Sequence, residues 1–288
     1  MPKTFQKIGI MGKQRDEPIA DTIEALIHYL EQHKLSVCVE SSTSQFLSQL
    51  AVPIVPAEEL NEHCELIIVV GGDGSLLNAA QYAVDQDLPL LGINRGRLGF
   101  LTDIRPNELN KVSKVLEGNY YSEQRFMLET EIEQSDHGIL TLALNDVVLF
   151  PGTISHMIEF RVDINGECVS NYHADGLIVA TPTGSTAHAL SAGGSILHPE
   201  LNAITLVPMC SHTLSSRPIV VSADSIITIT VSESNEKAAS ISCDGQKRIL
   251  VDQGKQIKIN KHNKLLRLIH PLDYHYFETL RTKLQWKG

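Results

Sequence analysis

Hydrophobic and polar positions change rhythm partway along this chain. Up to about residue 122, short apolar runs alternate with stretches whose apolar residues recur every three or four positions. Ile8–Met11, Val37–Val39, Leu66–Val70 and Leu88–Ile93 read as buried strands, because a strand covered on both faces is apolar throughout. Ile23, Leu26, Ile27 and Leu30 fall on one face of a helix predicted over Ile19–Leu30. A polar helical stretch follows Val39. This alternation predicts a parallel sheet wrapped by helices, with ligands at the carboxyl ends of the strands.

From Glu123 to about His270 the runs are short, alternating or β-branched: Leu128–Glu133, Leu140–Leu149, Met157–Asp163, Leu177–Thr181, Ile204–Pro208, Ile226–Val231, Ala238–Ser242 and Gln256–Ile259. Turn pairs such as Asn165-Gly166, Asp175-Gly176 and Asp244-Gly245 separate them. Strands at this spacing predict a β-rich, sandwich-like domain. Phe277, Leu280 and Leu284 then mark a helix over Tyr274–Trp286 that returns to the first domain. The expected organisation is a Rossmann-like parallel α/β domain over 1–122 plus 271–288, and a β-rich domain over 123–270.

The strongest chemical signal follows the Leu66–Val70 strand: Gly71-Gly72-Asp73-Gly74-Ser75. Glycines permit positive φ and remove side chains, so backbone N–H groups can approach an anion closely. Ser75 is placed to cap a helix through Leu76, Leu77, Ala79 and Ala80, whose N-terminus would add donors. A carboxylate at the centre of a phosphate cradle repels phosphate unless it holds a metal or accepts a proton. Asp73 therefore points to phosphoryl transfer, although the same four residues also fit a tight turn with a solvated aspartate. Neither G-x-x-x-x-G-K-[ST] nor G-x-G-x-x-G occurs.

Composition narrows the classes. With 288 residues, 42% hydrophobic and 20% charged, the chain is of ordinary globular make-up and about two domains long. A formal net charge of -10 opposes a nucleic-acid surface, so any phosphate-binding charge must be local. The N-terminus lacks a signal-peptide pattern, and no apolar run approaches the roughly 20 residues of a membrane span. Scattered Cys38, Cys64, Cys168, Cys210 and Cys243 read as reduced thiols of a cytoplasmic protein. The twelve histidines form no zinc motif.

A second constellation begins where the Leu177–Ala180 strand runs into Thr181-Pro182-Thr183-Gly184-Ser185-Thr186-Ala187-His188-Ala189-Leu190-Ser191. Small residues let a ligand lie against the backbone, and the hydroxyls can donate to ribose or phosphate oxygens. A close-packed helix start capped by Ser185 is the plainer alternative. Asn145-Asp146 interrupts the apolar Leu142–Leu149 run, and two adjacent polar residues in a strand cannot both face solvent when one face is buried.

Gly71-Gly72-Asp73-Gly74, Asn145-Asp146, and Asp175-Gly176 followed by Thr181-Pro182-Thr183-Gly184-Ser185-Thr186-Ala187 together resemble the signature set of bacterial NAD kinases. The similarity runs over most of the chain, including Gly96-Arg97-Leu98-Gly99-Phe100-Leu101-Thr102 and Ile241-Ser242-Cys243-Asp244. Gly-Gly-Asp-Gly alone is shared with lipid kinases; the Thr-Pro-Thr-Gly-Ser-Thr-Ala segment is far more specific. The resemblance implies transfer of the ATP γ-phosphate to the 2′-hydroxyl of the adenosine ribose of NAD, giving NADP. It makes Asp73 the proton acceptor, Gly71, Gly72 and Gly74 part of the nucleotide loop, and Mg²⁺ a divalent cation arriving with ATP.

The same resemblance implies that Asn145 and Asp146 bind the adenosine part and Asp175 the nicotinamide end. Thr186, Ala187, His188, Ala189, Leu190 and Ser191 would line the dinucleotide, and His156, His173 and Gln246 fall at ligand-associated positions. It also implies a homo-oligomer, a tetramer contacting through the β-rich domain. Three departures stand out: Asp146 replaces the usual Glu, His188 replaces a Tyr, and His173 occupies a variable position linked to oxidised or reduced dinucleotide preference. Solvated loop residues are the simpler reading of Arg95 and Arg97. A lipid kinase is disfavoured by the Ser/Thr/Ala segment, and a non-catalytic nucleotide sensor by the retained Asp73.

Overall fold

The computed structural model describes residues 3–12, 18–47, 51–95, 99–134, 138–152, 157–213, 215–246 and 248–286. His156 and Gly96-Arg97-Leu98, singled out above, lie outside the described residues. The chain divides into two compact units, Met1–Gln124 with Leu266–Gly288, and Arg125–Leu265.

The first unit is built on strands β1 (Lys7–Gly12), β2 (Ser36–Glu40), β3 (Ile54–Val55), β4 (Leu66–Gly71) and β5 (Leu90–Asn94). They pair in parallel in the spatial order β5-β4-β1-β2-β3. Every residue of β4 and β5 is buried, which is why both read as uninterrupted apolar runs. Helix α1 (Pro18–Gln32) lays Ile23, Leu26 and Leu30 against Ile8, Ile10, Leu66 and Ile68 in one core. Burying an aliphatic side chain of this size contributes about 1.5–3 kcal/mol. Two short helices, α2 (Ser41–Ser44) and α3 (Leu60–His63), precede β4.

Helix α4 (Asp73–Ala83) follows β4 after a single residue, Gly72, which occupies its N-cap position. The expectation that Ser75 caps this helix is corrected: Ser75 lies within the first turn, its N–H donating to the Gly72 carbonyl at 2.9 Å. The helix starts two residues early because Asp73 already adopts the helical path. Helix α5 (Leu109–Leu116) packs Val112 and Val115 into the same core.

In the second unit the strands are β6 (Tyr120–Ile132, entering from the first), β7 (Ile139–Ala143), β8 (Asp146–Pro151), β9 (Ile158–Ile164), β10 (Glu167–Ala174) and β11 (Gly176–Ala180). After helix α6 (His188–Ser191) come β12 (Ala203–Met209), β13 (Ile219–Ser222), β14 (Ile227–Val231), β15 (Ala239–Cys243), β16 (Ile249–Val251) and β17 (Gln256–Pro271). One layer is antiparallel in the order β10-β9-β14-β17, and β6 pairs with β7. The other runs β13-β12-β11-β8-β15-β16, antiparallel throughout. Phe160, Ile229 and Ile257 of the first layer meet Val147, Val179 and Ile241 of the second in a shared core. The far end of β17 serves the first unit, where Leu268 pairs in parallel with Leu90, and helix α7 (Tyr276–Leu284) follows.

Three strand expectations need correction. The Leu140–Leu149 run is two strands with a bend at Leu144-Asn145, because the Asp244 carboxylate draws the N–H groups of residues 144–146 to itself. Strands β3, β10, β13 and β16 were not foreseen, since each is an edge strand, either very short or largely exposed. Strand β17 continues far beyond Ile259, its polar middle hiding the strand pattern. No helix of the described residues is long and apolar enough to cross a membrane.

Candidate functional site

In the first unit, the end of β4 delivers three glycines with different causes. Gly71 has φ +151°, and a Cβ there would overlap the Ser75 hydroxyl, so the fold itself requires glycine. Gly72 has ordinary extended φ -100°, and a Cβ on Gly72 or Gly74 would meet nothing within 4 Å. Glycine in a helix costs about 1 kcal/mol relative to alanine, so Gly74 carries a cost that no internal contact explains. Space left bare beside a helix N-terminus suits the close approach of an anion.

Asp73 is half-buried in the first turn of α4. Its carboxylate accepts the Phe100 N–H at 2.8 Å and the Leu101 N–H at 3.1 Å, with the Thr102 hydroxyl at 3.3 Å. A Cβ on Gly99 would overlap that carboxylate, so residues 99–102 are pressed against it. Thr102 is itself fixed by the Asn94 side-chain amide at 2.6 Å. The result is one oriented carboxylate at the carboxyl end of a parallel strand, beside open backbone. Among the described residues no group of three or more His, Cys, Asp or Glu is arranged to hold a metal ion.

In the second unit, Asp244 organises the other constellation. It sits with Gly245 in a tight turn, both with positive φ (+51° and +65°), closed by the Gln246 N–H to the Cys243 carbonyl at 3.0 Å. Its carboxylate accepts N–H bonds from Leu144 (2.8 Å), Asn145 (2.7 Å) and Asp146 (3.2 Å). Burial pushes the Asp244 carboxyl up to about 7 against those three bonds, and the nearby Asp146 adds to the rise. Asp146 is 5% exposed; burial pushes its carboxyl up to about 6, while the His188 N–H it accepts pulls the other way.

The Thr181–Thr186 segment folds onto the same bend. The Thr181 N–H donates to the Asn145 carbonyl at 2.9 Å and its hydroxyl to the Leu144 carbonyl at 2.6 Å. Gly184 packs so closely that a Cβ would overlap the Asn145 carbonyl. The expected use of these hydroxyls as ligand donors is corrected: the Ser185 proton goes to the Pro182 carbonyl (2.6 Å) and the Thr186 proton to the Thr183 carbonyl (3.1 Å). Each hydroxyl bonds back to the carbonyl three residues earlier, as Ser and Thr do in turns, and the Pro182 carbonyl also takes the Ser185 N–H at 3.3 Å.

This hub borders a cavity of about 450 Å³, in which Asn145, Asp146, Ala187, His188 and Gln246 meet. Sequence reasoning named all five. It quoted Ser242 and Asp244 only within the wider resemblance, without a ligand role, and did not single out Phe150 or Arg248; all four line the same cavity, and the Arg248 guanidinium stacks over the Phe150 ring at 4.7 Å. Asp244 was legible as half of a turn pair but not as the acceptor that sets the bend.

Other candidates lie apart from that cavity. Ala189 is fully buried with Val148, Ile178 and Val207, so its side chain belongs to the core. Thr186 and Leu190 are partly exposed and Ser191 exposed on and beside α6. His173, exposed on β10, has its ring 5.8 Å from His212 and lines a separate cleft of about 210 Å³ with Met157 and Glu159. Asp175, also exposed, accepts a hydrogen bond from the Cys210 thiol, which raises that thiol above its usual range.

Comparison with known proteins places this geometry in context. The family model for the ATP-NAD kinase N-terminal domain matches residues 8–120, and that for the ATP-NAD kinase C-terminal domain matches 144–271. An NAD kinase of Coxiella burnetii is 52% identical over 285 residues, 99% of this chain and 95% of that protein. One from Legionella pneumophila is 46% identical over 292 residues, 100% of this chain and 99% of its own. Among solved structures, yeast NADH kinase complexed with NADH superposes with a TM-score of 0.89 at 27% identity, covering 99% of this chain and 89% of the other. An NAD kinase from Archaeoglobus fulgidus in complex with ATP gives 0.73 at 28% identity, covering 98% and 99%.

Proposed function

Since the chain belongs to the ATP-NAD kinase family and catalyses the ATP-dependent phosphorylation of NAD to NADP, we propose that Asp73 accepts the proton of the ribose 2′-hydroxyl in that reaction. The observation that carries this reading is the Asp73 carboxylate, held by the Phe100 and Leu101 N–H groups beside Gly72 and Gly74, which no internal contact requires. As the 2′-oxygen bonds to the γ-phosphorus and the bond to ADP breaks, the hydroxyl proton moves to the carboxylate. In a loose phosphoryl-transfer transition state the nucleophile needs positioning more than early deprotonation, and a fixed carboxylate provides it.

The bare backbone at Gly72 and Gly74 and the N-terminus of α4 approach the phosphates. In the second unit, the cavity bordered by Asn145, Asp146, Ala187, His188 and Gln246 takes the adenosine part of NAD, and Asp175 meets the nicotinamide end. Shorter by one methylene than the usual Glu, Asp146 leaves room for a bridging water. A divalent cation, Mg²⁺, would arrive with the ATP phosphates and supply neutralisation of the transferring group. The enzyme works in the cytoplasm as a homotetramer whose β-rich unit supplies the subunit contacts.

The decisive assay incubates the protein with ATP, Mg²⁺ and either NAD⁺ or NADH and reads product with an NADP(H)-specific dehydrogenase. Comparison of the two acceptors assigns the redox preference at His173. Asp73→Asn should lower turnover roughly 10²–10⁴-fold with the fold intact. Near-normal turnover in that variant would remove the proton-acceptor role. Nucleotide binding by calorimetry without product from either acceptor would instead leave a sensor.

A further inference from the structure

Behind the segment that grips Asp73 lies a buried charge cluster. His270, 1% exposed near the end of β17, hydrogen-bonds through Nδ1 to Asp103, and its Nε2 lies 3.3 Å from Glu123. The Tyr274 ring stacks on the imidazole at 4.1 Å between centroids, and the Tyr121 ring lies at 6.3 Å, inclined by 29°. Burial opposes the imidazolium, yet the hydrogen bond to Asp103 and the adjacent Glu123 carboxylate outweigh it and hold His270 above the usual histidine range. Ion pairs taken out of water rarely stabilise a fold better than packed apolar side chains would. Their cost directs attention to what they hold in place.

What they hold is the stretch running into the Asp73 contacts. Asp103 adjoins Thr102, whose hydroxyl reaches Asp73, and Leu101 and Phe100 supply the two N–H donors. The other flank is pinned by the backbone: the Asn94 N–H donates to the Ile104 carbonyl at 2.7 Å and the Ile104 N–H to the Gly92 carbonyl at 3.3 Å. Gly92 lets the stretch come this close, since a Cβ there would stand 2.8 Å from the Thr102 Cα. Asp103 thus ties this stretch to the end of β17 through a charged hydrogen bond, beside the apolar core that Ile104 shares with Ile269.

We propose that His270, bridging Asp103 and Glu123, is a positioning residue for phosphoryl transfer: it fixes residues 99–104 and thereby the direction of the Asp73 carboxylate. The proposal rests on the reading of Asp73 as proton acceptor. Misplacing a reacting group by about 1 Å can cost on the order of 10²-fold in rate, so loosening this tether acts on the chemical step rather than on substrate capture.

The test compares His270→Leu, His270→Gln, Asp73→Asn and the double variant Asp73→Asn/His270→Leu in the full chain, at a temperature well below each melting transition. His270→Leu should lower kcat roughly 10–100-fold with KM for NAD and for ATP within about threefold. His270→Gln, which still donates to Asp103, should recover part of that loss. The double variant should turn over within about threefold of Asp73→Asn alone, because His270 acts through Asp73. If His270→Leu fails to fold, the same comparison is made with His270→Gln and its double variant. Wild-type kcat in the His270 variants, a raised KM at unchanged kcat, or losses that multiply in the double variant would each overturn the proposal. Near-normal turnover of Asp73→Asn by itself would instead bring down the acceptor reading beneath it.

Discussion

Replacing Asp244 with Asn tests the hub of the second unit through the pH dependence of stability. The folded state raises this carboxyl from 3.8 to about 7, chiefly by burial. Roughly three pH units at about 1.4 kcal/mol each amount to roughly 4 kcal/mol. The sign follows from proton counts: between these two values the folded chain holds a proton that the unfolded chain has released. Stability from this group is therefore present at low pH and is lost as pH rises toward 7, with roughly 2–3 kcal/mol of the loss above pH 5. Asn has no proton to lose. Its oxygen can keep the Asn145 and Asp146 N–H groups, which share Oδ1, but its amide would face the Leu144 N–H. That mismatch costs about 1–3 kcal/mol at every pH. Asp244→Asn should therefore be less stable than the parent at pH 5 and should close or reverse the gap by pH 8. Urea unfolding of both proteins at pH 5, 6, 7 and 8 measures it. A stability difference that stays constant within about 0.5 kcal/mol across that range would refute the reasoning, since additive mutational noise is of that size.

Further outcomes follow from the same geometry. Asp146→Ala should raise KM for NAD about tenfold, a loss of about 1.4 kcal/mol, with little change in kcat. Because burial holds the Asp146 carboxyl near 6, KM for NAD in the parent should also climb as pH falls below 6, and this dependence should vanish in the variant. Gly99→Ala forces a methyl into the Asp73 carboxylate and should lower kcat on the order of 10²-fold while circular dichroism is unchanged; full activity would show that the carboxylate can move freely. Gly184→Ala drives a methyl against the Asn145 carbonyl, where only backbone can give way, and should cost about 1–3 kcal/mol in urea unfolding and raise KM for NAD.

Much of this protein is written in local pattern. The apolar run at Leu66–Val70, the helical spacing of Ile23, Leu26 and Leu30, and the turn pair Asn165-Gly166 each name their element, because burial on both faces, burial on one face and positive φ demand those residue types. The candidate chemistry was local too: glycines around Asp73 and a long stretch of small hydroxylated residues mark, before any fold is known, the segments from which a nucleotide site is proposed. Yet the sequence could not say which glycine serves the fold and which leaves space for a ligand; Gly71 and Gly72 are neighbours with opposite causes. Nor could it show that Ser185 and Thr186 spend their protons on carbonyls, since only the turn they make brings those carbonyls within reach. Asp244 bends a chain segment about a hundred residues away in sequence, and His270 reaches Asp103 across an even longer separation. Periodicity reports what a residue's own neighbourhood buries, whereas hydrogen bonds and ion pairs between distant segments exist only once the chain has brought their ends together.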